Sequence, residues 1–141
     1  MNSDIYIYTA GSLTYMKKIG EYEKALEWRD KLQSWSSDNG VKMFNPAQTF
    51  LRENAHNYSY NLIVHQNEFF LKASTIMVVQ LDYIDYSPGT IFELAVFRQM
   101  GKPVIAFGGT QPHWSPHINS CISQYCKDID DVIDVLSNMF L

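Results

Sequence analysis

TIMVVQL at Thr75–Leu81, SPGTIFELAVFRQMG at Ser87–Gly101 and PVIAF at Pro103–Phe107 decide the fold. The first and last are short apolar runs, which is how a strand buried on both faces of a parallel sheet reads. The segment between them has helix length, opens on serine and proline, and stops at glycine. Strand, helix and strand in succession form a crossover unit, so the chain is expected to build an α/β parallel sheet covered by helices.

The same alternation continues outward. Ile5–Ala10 reads as the first strand, ending at Gly11. From Tyr15 to Trp35 the residues Ile19, Tyr22, Leu26, Arg29 (by its stem), Leu32 and Trp35 recur at helical spacing. This predicts one amphipathic helix stopped by Asn39-Gly40. Val41–Phe44 reads as a second strand ended by Pro46, and 60–73 as a helix. A short strand at Tyr125–Lys127 completes a five-stranded sheet, and Asp130–Leu141 is a terminal amphipathic helix.

A chain of 141 residues, 46% hydrophobic and 18% charged, fits a single domain over 1–141 that needs neither disulfide nor metal to hold it. Cys121 and Cys126 therefore read as ordinary buried thiols. Eleven basic against fifteen acidic residues, a net charge of -4 and no basic run argue against a polynucleotide or an anionic membrane as partner. No leader pattern opens the chain, and no apolar stretch approaches the roughly 20 residues of a membrane span. The expectation is a soluble cytoplasmic protein that acts on something small. His56, His65, His113 and His117 are scattered without metal-ligand spacing, so neither metal nor cofactor is expected.

In such sheets ligands bind beyond the carboxyl ends of the strands, where strand order reverses. The loops Thr9–Thr14, Asp82–Thr90 and Gly108–Pro116 qualify. Glu93 is the sharpest anomaly, because Ile91, Phe92, Leu94, Ala95, Val96 and Phe97 make its helix apolar nearly all round. A carboxylate buried there is costly unless a ligand uses it, or Arg98 or a tyrosine pairs with it. Ser87, Gly89 and Thr90 open that helix, where free N–H groups favour an anion, although plain capping by Ser87 is the simpler reading. Gly11-Ser12 forms a small turn without dinucleotide-binding or P-loop spacing. Asp82 and Asp85 read as solvated acids, and Trp28 and Trp35 as packing residues.

IYTAG at 7–11, WRDKL at 28–32, FNP at 44–46, HQNEFFLKASTIMVV at 65–79, SPGTIFELA at 87–95 and GKPVIAF at 101–107 resemble, in order and spacing, the nucleoside 2-deoxyribosyltransferases. The related deoxynucleoside 5'-monophosphate N-glycosidases share the pattern. The resemblance implies a flavodoxin-like, Rossmann-like sheet and cleavage or transfer at the N-glycosidic bond in nucleotide salvage. It also implies homodimers or higher assemblies whose sites borrow residues from a neighbour. The family's nucleophilic glutamate falls on Glu93, and its first-strand tyrosine on Tyr8. The residue lent by the partner falls on Asn119, with Gly11, Ser87, Gly89 and Thr90 around the substrate.

Two positions depart from the pattern. Ser87 replaces an aspartate typical of the transferases, and serine there is what the monophosphate-cleaving relatives use for phosphate. Asn67 stands where the family carries an aspartate that handles the proton of the leaving base. An amide hydrogen-bonds a base but cannot transfer its proton, and Glu68 is rotated by about 100° around the helix. A catalytically impaired nucleotide-binding or sensing protein is therefore the second reading, and an oligomeric interaction protein the third.

Overall fold

The computed structural model describes residues 4–51 and 57–141; His56 and the first three residues lie outside the described residues. Five strands, β1 (Tyr6–Ala10), β2 (Lys42–Phe44), β3 (Ile76–Gln80), β4 (Val104–Phe107) and β5 (Gln124–Cys126), form one sheet in the order β2-β1-β3-β4-β5. All four pairings are parallel, with Ile7 opposite Met43 on one side of β1 and Ile76 on the other. The chain leaves β1 toward β2 and returns to β3 on the other side, so strand order reverses at β1. The crevice past the ends of β1 and β3 is where an open α/β sheet receives its ligand.

Among the described residues seven α-helices connect and cover the strands, α1 (Leu13–Lys18), α2 (Tyr22–Asp38), α3 (Pro46–Leu51), α4 (Tyr60–Ala73), α5 (Pro88–Gln99), α6 (Pro116–Asn119) and α7 (Ile129–Phe140), with a 3-10 turn at Ile84–Tyr86 before α5. Alternate strand residues feed two cores, as the two-residue period of a strand requires. Tyr8, Ala10, Met77, Val79, Val104 and Ala106 pack against Leu71 of α4 and against Leu94 and Phe97 of α5. On the other face Ile7, Ile76, Val78, Ile105 and Phe107 meet Trp28 and Leu32 of α2, and Val132 and Leu136 of α7. Trp28 and Trp35 are packing residues as read, and the Trp28 Nε1–H reaches Gln80 Oε1 at 3.0 Å inside that core.

Three readings need correction. The single helix expected from Tyr15 to Trp35 is two, because the chain turns at Gly20, whose φ of 79° favours glycine. Pro46 does not merely end β2; it opens α3. The helix carrying Glu93 is not buried all round: it lies on the sheet through Leu94 and Phe97, while Phe92 is 52% exposed and Ala95 faces outward. Cys126 is buried and Cys121 half-buried, both as free thiols.

The expected helix stops hold where the backbone geometry demands them. Asn39 caps α2, and Gly40 and Gly101 follow their helices with positive φ. The Ser59 hydroxyl accepts the Leu62 N–H at the start of α4, and Asp128 accepts the Asp131 N–H at the start of α7. Lys102 donates to the carbonyls of Lys72 and Ser74 at the end of α4, a favourable place for a cation. Among the described residues no helix is long and apolar enough to cross a membrane.

Candidate active site

A cavity of about 520 Å³ opens past the carboxyl ends of β1 and β3. Its walls are the loop after β1, α1, one face of α4 and the first turns of α5. Gly11, Asn67, Ser87, Gly89, Thr90 and Glu93 all line it, although they come from three separate stretches of chain. Tyr8 stands behind them, fully enclosed in β1, and its hydroxyl donates to Glu93 Oε2. Glu93 thus has a tyrosine partner and none in Arg98, one of the two pairings open from the sequence.

The placement of Glu93 follows from local rules. Proline at the first helical position fixes where α5 begins, directly after the loop that leaves the central strand. One and a half turns later the helix points residue 93 over the end of β1. Burial pushes the Glu93 carboxyl up to about 7, against the opposing effects of the Tyr8 hydrogen bond and the Arg29 charge. Burial also raises the Tyr8 phenol, and the neighbouring Glu93 adds to that. Tyr8 is therefore a hydrogen-bond donor at neutral pH and Glu93 a carboxylate in balance with its acid.

The other sequence candidates are distributed unevenly. Ser87 occupies the cap position of α5, but its side chain caps no N–H; it meets the Thr90 hydroxyl at 2.7 Å instead. The first-turn N–H groups of α5 have no acceptor within the helix, as at any helix start. The Asn67 Oδ1 is buried without a hydrogen-bond partner. Glu68 also borders the cavity, despite its rotation from Asn67, and is paired with Lys72 at 3.2 Å. Asn119 does not line this cavity: it lies at the end of α6 and accepts a hydrogen bond of 2.5 Å from the Tyr125 hydroxyl.

Asp85 is exposed, as a solvated acid is expected to be, and Asp82 is half-buried; both are held by hydrogen bonds rather than turned toward Glu93. Asp82 accepts the Gly109 N–H, and Asp85 holds His113 Nε2 and Trp114 Nε1, each at 3.2 Å. These contacts tie the loop after β3 to the loop after β4, so neither Asp82 nor Asp85 takes the place of Asn67. Among the described residues no cluster of His, Cys, Asp or Glu is arranged to hold a metal ion.

Of Lys17 and Lys18, the two cations that follow the first loop in the sequence, Lys18 borders the cavity from α1. Among the lining residues not singled out as site residues, Tyr15 and Tyr86 stack at the cavity wall with centroids 4.6 Å apart. Arg29 is another: it reaches the cavity from α2 and is enclosed over its whole side chain, not by its stem alone. Its signal in the sequence is a permanent charge on the apolar stripe of a helix, between Ala25 and Leu32.

Solved structures share this architecture. A 2-deoxyribosyltransferase of Bacillus psychrosaccharolyticus superposes with a TM-score of 0.70 at 24% identity, covering 92% of this chain and 90% of that one. A conserved protein of Enterococcus faecalis V583 gives 0.70 at 15% identity, over 94% and 97%. The CMP N-glycosidase BcmB of Clostridium botulinum gives 0.60 at 12% identity, over 94% and 97%. At these identities the likeness is one of fold. No curated protein matches the chain by sequence. The sequence profile described as Nucleoside 2-deoxyribosyltransferase matches residues 7–129, which takes in β1, α4, the loop after β3 and all of α5. The chain therefore belongs to the nucleoside 2-deoxyribosyltransferase family.

Proposed function

We propose that the protein breaks the N-glycosidic bond of a 2'-deoxynucleoside or its 5'-monophosphate, with Glu93 as nucleophile, and passes the sugar to water or to a second base. The observation that carries this reading is Glu93, which lines the cavity of about 520 Å³ and is held from behind by the Tyr8 hydroxyl. One Glu93 oxygen attacks the anomeric carbon as the bond from that carbon to the base nitrogen breaks. The bonding pair leaves with the base, and a glycosyl ester of Glu93 remains. Water or a base nitrogen then displaces Glu93, which departs as a carboxylate, and the proton that the incoming group sheds balances the one that the expelled base anion takes up. Tyr8 holds Oε2 and so presents the other oxygen to the sugar. The reading is tested by incubating the protein with a panel of deoxynucleosides and their monophosphates, with and without a second free base. Released or exchanged base is measured by chromatography, and a panel that yields neither defeats the proposal.

The 5'-monophosphate is the preferred form within this proposal. Ser87 is neutral where an aspartate would repel a phosphate, the first turn of α5 offers N–H groups at Gly89 and Thr90, and Lys18 adds a cation on the same cavity. Calorimetric titration is expected to give the monophosphate at least about tenfold tighter binding than the nucleoside, since hydrogen bonds to charged groups contribute about 1.5–3 kcal/mol. Ser87→Asp should reverse the order and Lys18→Ala should weaken the monophosphate alone. Equal affinities would return Ser87 to a purely structural place at the helix start.

A second reading, a nucleotide-binding or sensing protein without turnover, is favoured by Asn67, which cannot hand a proton to the base. The same panel separates the two, because a sensor binds the ligand and leaves it whole.

The working unit in this proposal is at least a dimer, with Asn119 completing the site of a neighbour. Support comes from the apolar surface beside the cavity, where Tyr60, Leu62, Val64 and Phe69 of α4 and Phe92 of α5 are all exposed. Sedimentation at assay concentration should give a dimer or larger species, and a fully active monomer would remove the proposal.

A further inference from the structure

Among the described Asp, Glu, Lys and Arg residues, Arg29 alone is fully enclosed, Glu93 being half-buried beside it. It lies on α2, across the sheet from α5, and reaches past the end of β1 to the cavity that Glu93 enters from the other side. Gly11 gives the guanidinium room, because a Cβ at that position would stand 3.3 Å from Arg29 Nη2, a tight contact. Nη1 donates to the Ala25 carbonyl and the guanidinium carbon sits 4.5 Å from the Trp28 ring centroid. Nε and Nη2 have no hydrogen-bond partner. A buried guanidinium so poorly satisfied is costly unless a countercharge stands near.

We propose that Arg29 is a positioning residue that acts through Glu93: the enclosed guanidinium is the countercharge that favours the ionised form of Glu93 across the cavity. This rests on Glu93 being the nucleophile. Tyr8 of β1 hydrogen-bonds that carboxylate, and the charged and titratable groups that share its cavity are Arg29 from α2, Lys18 and Tyr15 from α1, Glu68 and Tyr60 from α4, and Tyr86 from the loop before α5. Glu68 is neutralised by Lys72, and Lys18 is exposed, where water screens it. Arg29 alone presents a cation shielded from solvent. The two charges act on each other in both directions: burial draws Arg29 down to about 10 while Glu93 counters that fall, and Arg29 counters the rise that burial gives Glu93.

The pair is not a closed salt bridge, and this suits a nucleophile. A forked arginine contact would occupy both carboxylate oxygens, whereas here Tyr8 takes Oε2 and the other oxygen is left for the sugar. When the glycosyl ester forms, Glu93 loses its charge and Arg29 loses its countercharge. Displacement of the ester by water or base restores both, so the same cation favours release of Glu93 in the second step.

The test is a pH titration of the Glu93 side-chain carboxyl by carbon-13 NMR without substrate, with Glu93→Gln used to assign the signal. In Arg29→Met the titration is expected about one to two pH units higher than in the unaltered protein, and in Arg29→Lys within about half a unit of it. The acid limb of base release should move with it. An unmoved titration in Arg29→Met would reduce Arg29 to packing. Should that variant fail to fold, the nitrogen-15 Nε resonance of Arg29 in the unaltered protein decides: it should follow the Glu93 titration, and a flat response overturns the inference. Both readouts are independent of turnover. A coupled pair with no base release defeats the proposed function and not the coupling; base release through Glu93 with a flat titration defeats the coupling alone.

Discussion

Glu93→Ala is expected to lower base release by about 10⁴-fold or more, the scale on which removing a covalent nucleophile acts, while the variant keeps its circular dichroism spectrum and binds nucleotide. An arabinosyl nucleotide fluorinated at the sugar 2-position should leave a stable adduct on Glu93 in the unaltered protein and none in the variant, read by peptide mass. Activity should also rise with pH through about 7, since attack needs the carboxylate and burial has pushed that group up to about 7. Stability runs the other way. A carboxyl raised above its usual value contributes most below about pH 4.5 and loses that contribution as the pH climbs through about 7. Denaturant titrations across this window should show the slope in the unaltered protein and its loss in Glu93→Ala. A variant retaining most of the activity would overturn the assignment.

Asn67→Asp is expected to raise the rate by about 10²- to 10⁴-fold, the usual value of positioned acid-base help. Asn67 lines the cavity and its Oδ1 is buried without a partner, so the replacement keeps shape and adds a group that can carry a proton to the departing nitrogen. Neither Asp82 nor Asp85 supplies that group, because both are held by the loop after β4. The gain should appear in kcat with little change in KM for natural bases, and should vanish for bases that leave readily without a proton. No gain, or a loss, would mean that departure of the base is not limited by protonation and would strengthen the reading of Asn67 as a binding residue.

The strands β1, β2 and β4 could be read in advance because each is a short run bounded by glycine or proline, and β3 because it is apolar on both faces; with β5, all five expected strands are present within a residue or two. The crossover from β3 through α5 to β4 was legible for the same reason. The break at Gly20 was not, since Ile19 and Tyr22 on either side keep the helical spacing and the glycine interrupts no charge pattern. Glu93 could be found as a charge in an apolar helix, and the partial exposure of α5 could not, because sequence does not say which of several apolar faces a helix turns to the sheet. Arg29 escaped for the converse reason. A long side chain on an apolar stripe is usually satisfied by burying its stem and exposing its head, and only the fold places that head under Gly11 instead.

The partner strands of β1 have an implication for how the molecule is made. β1 lies inside the sheet, and its pairing with β3 joins Ile7 to Ile76 across 69 positions of chain. Such distant closure slows folding, because the chain loses the entropy of the loop before the contact rewards it. As the polypeptide emerges from the ribosome, β1 and β2 can pair early, but the other edge of β1 stays open until residue 79 has been added. The cavity comes later still, because its nucleophile follows on α5. Nascent chains arrested before that helix should therefore carry an unpaired inner strand, the kind of edge that invites association, and should need shielding in a way that chains arrested after β4 do not.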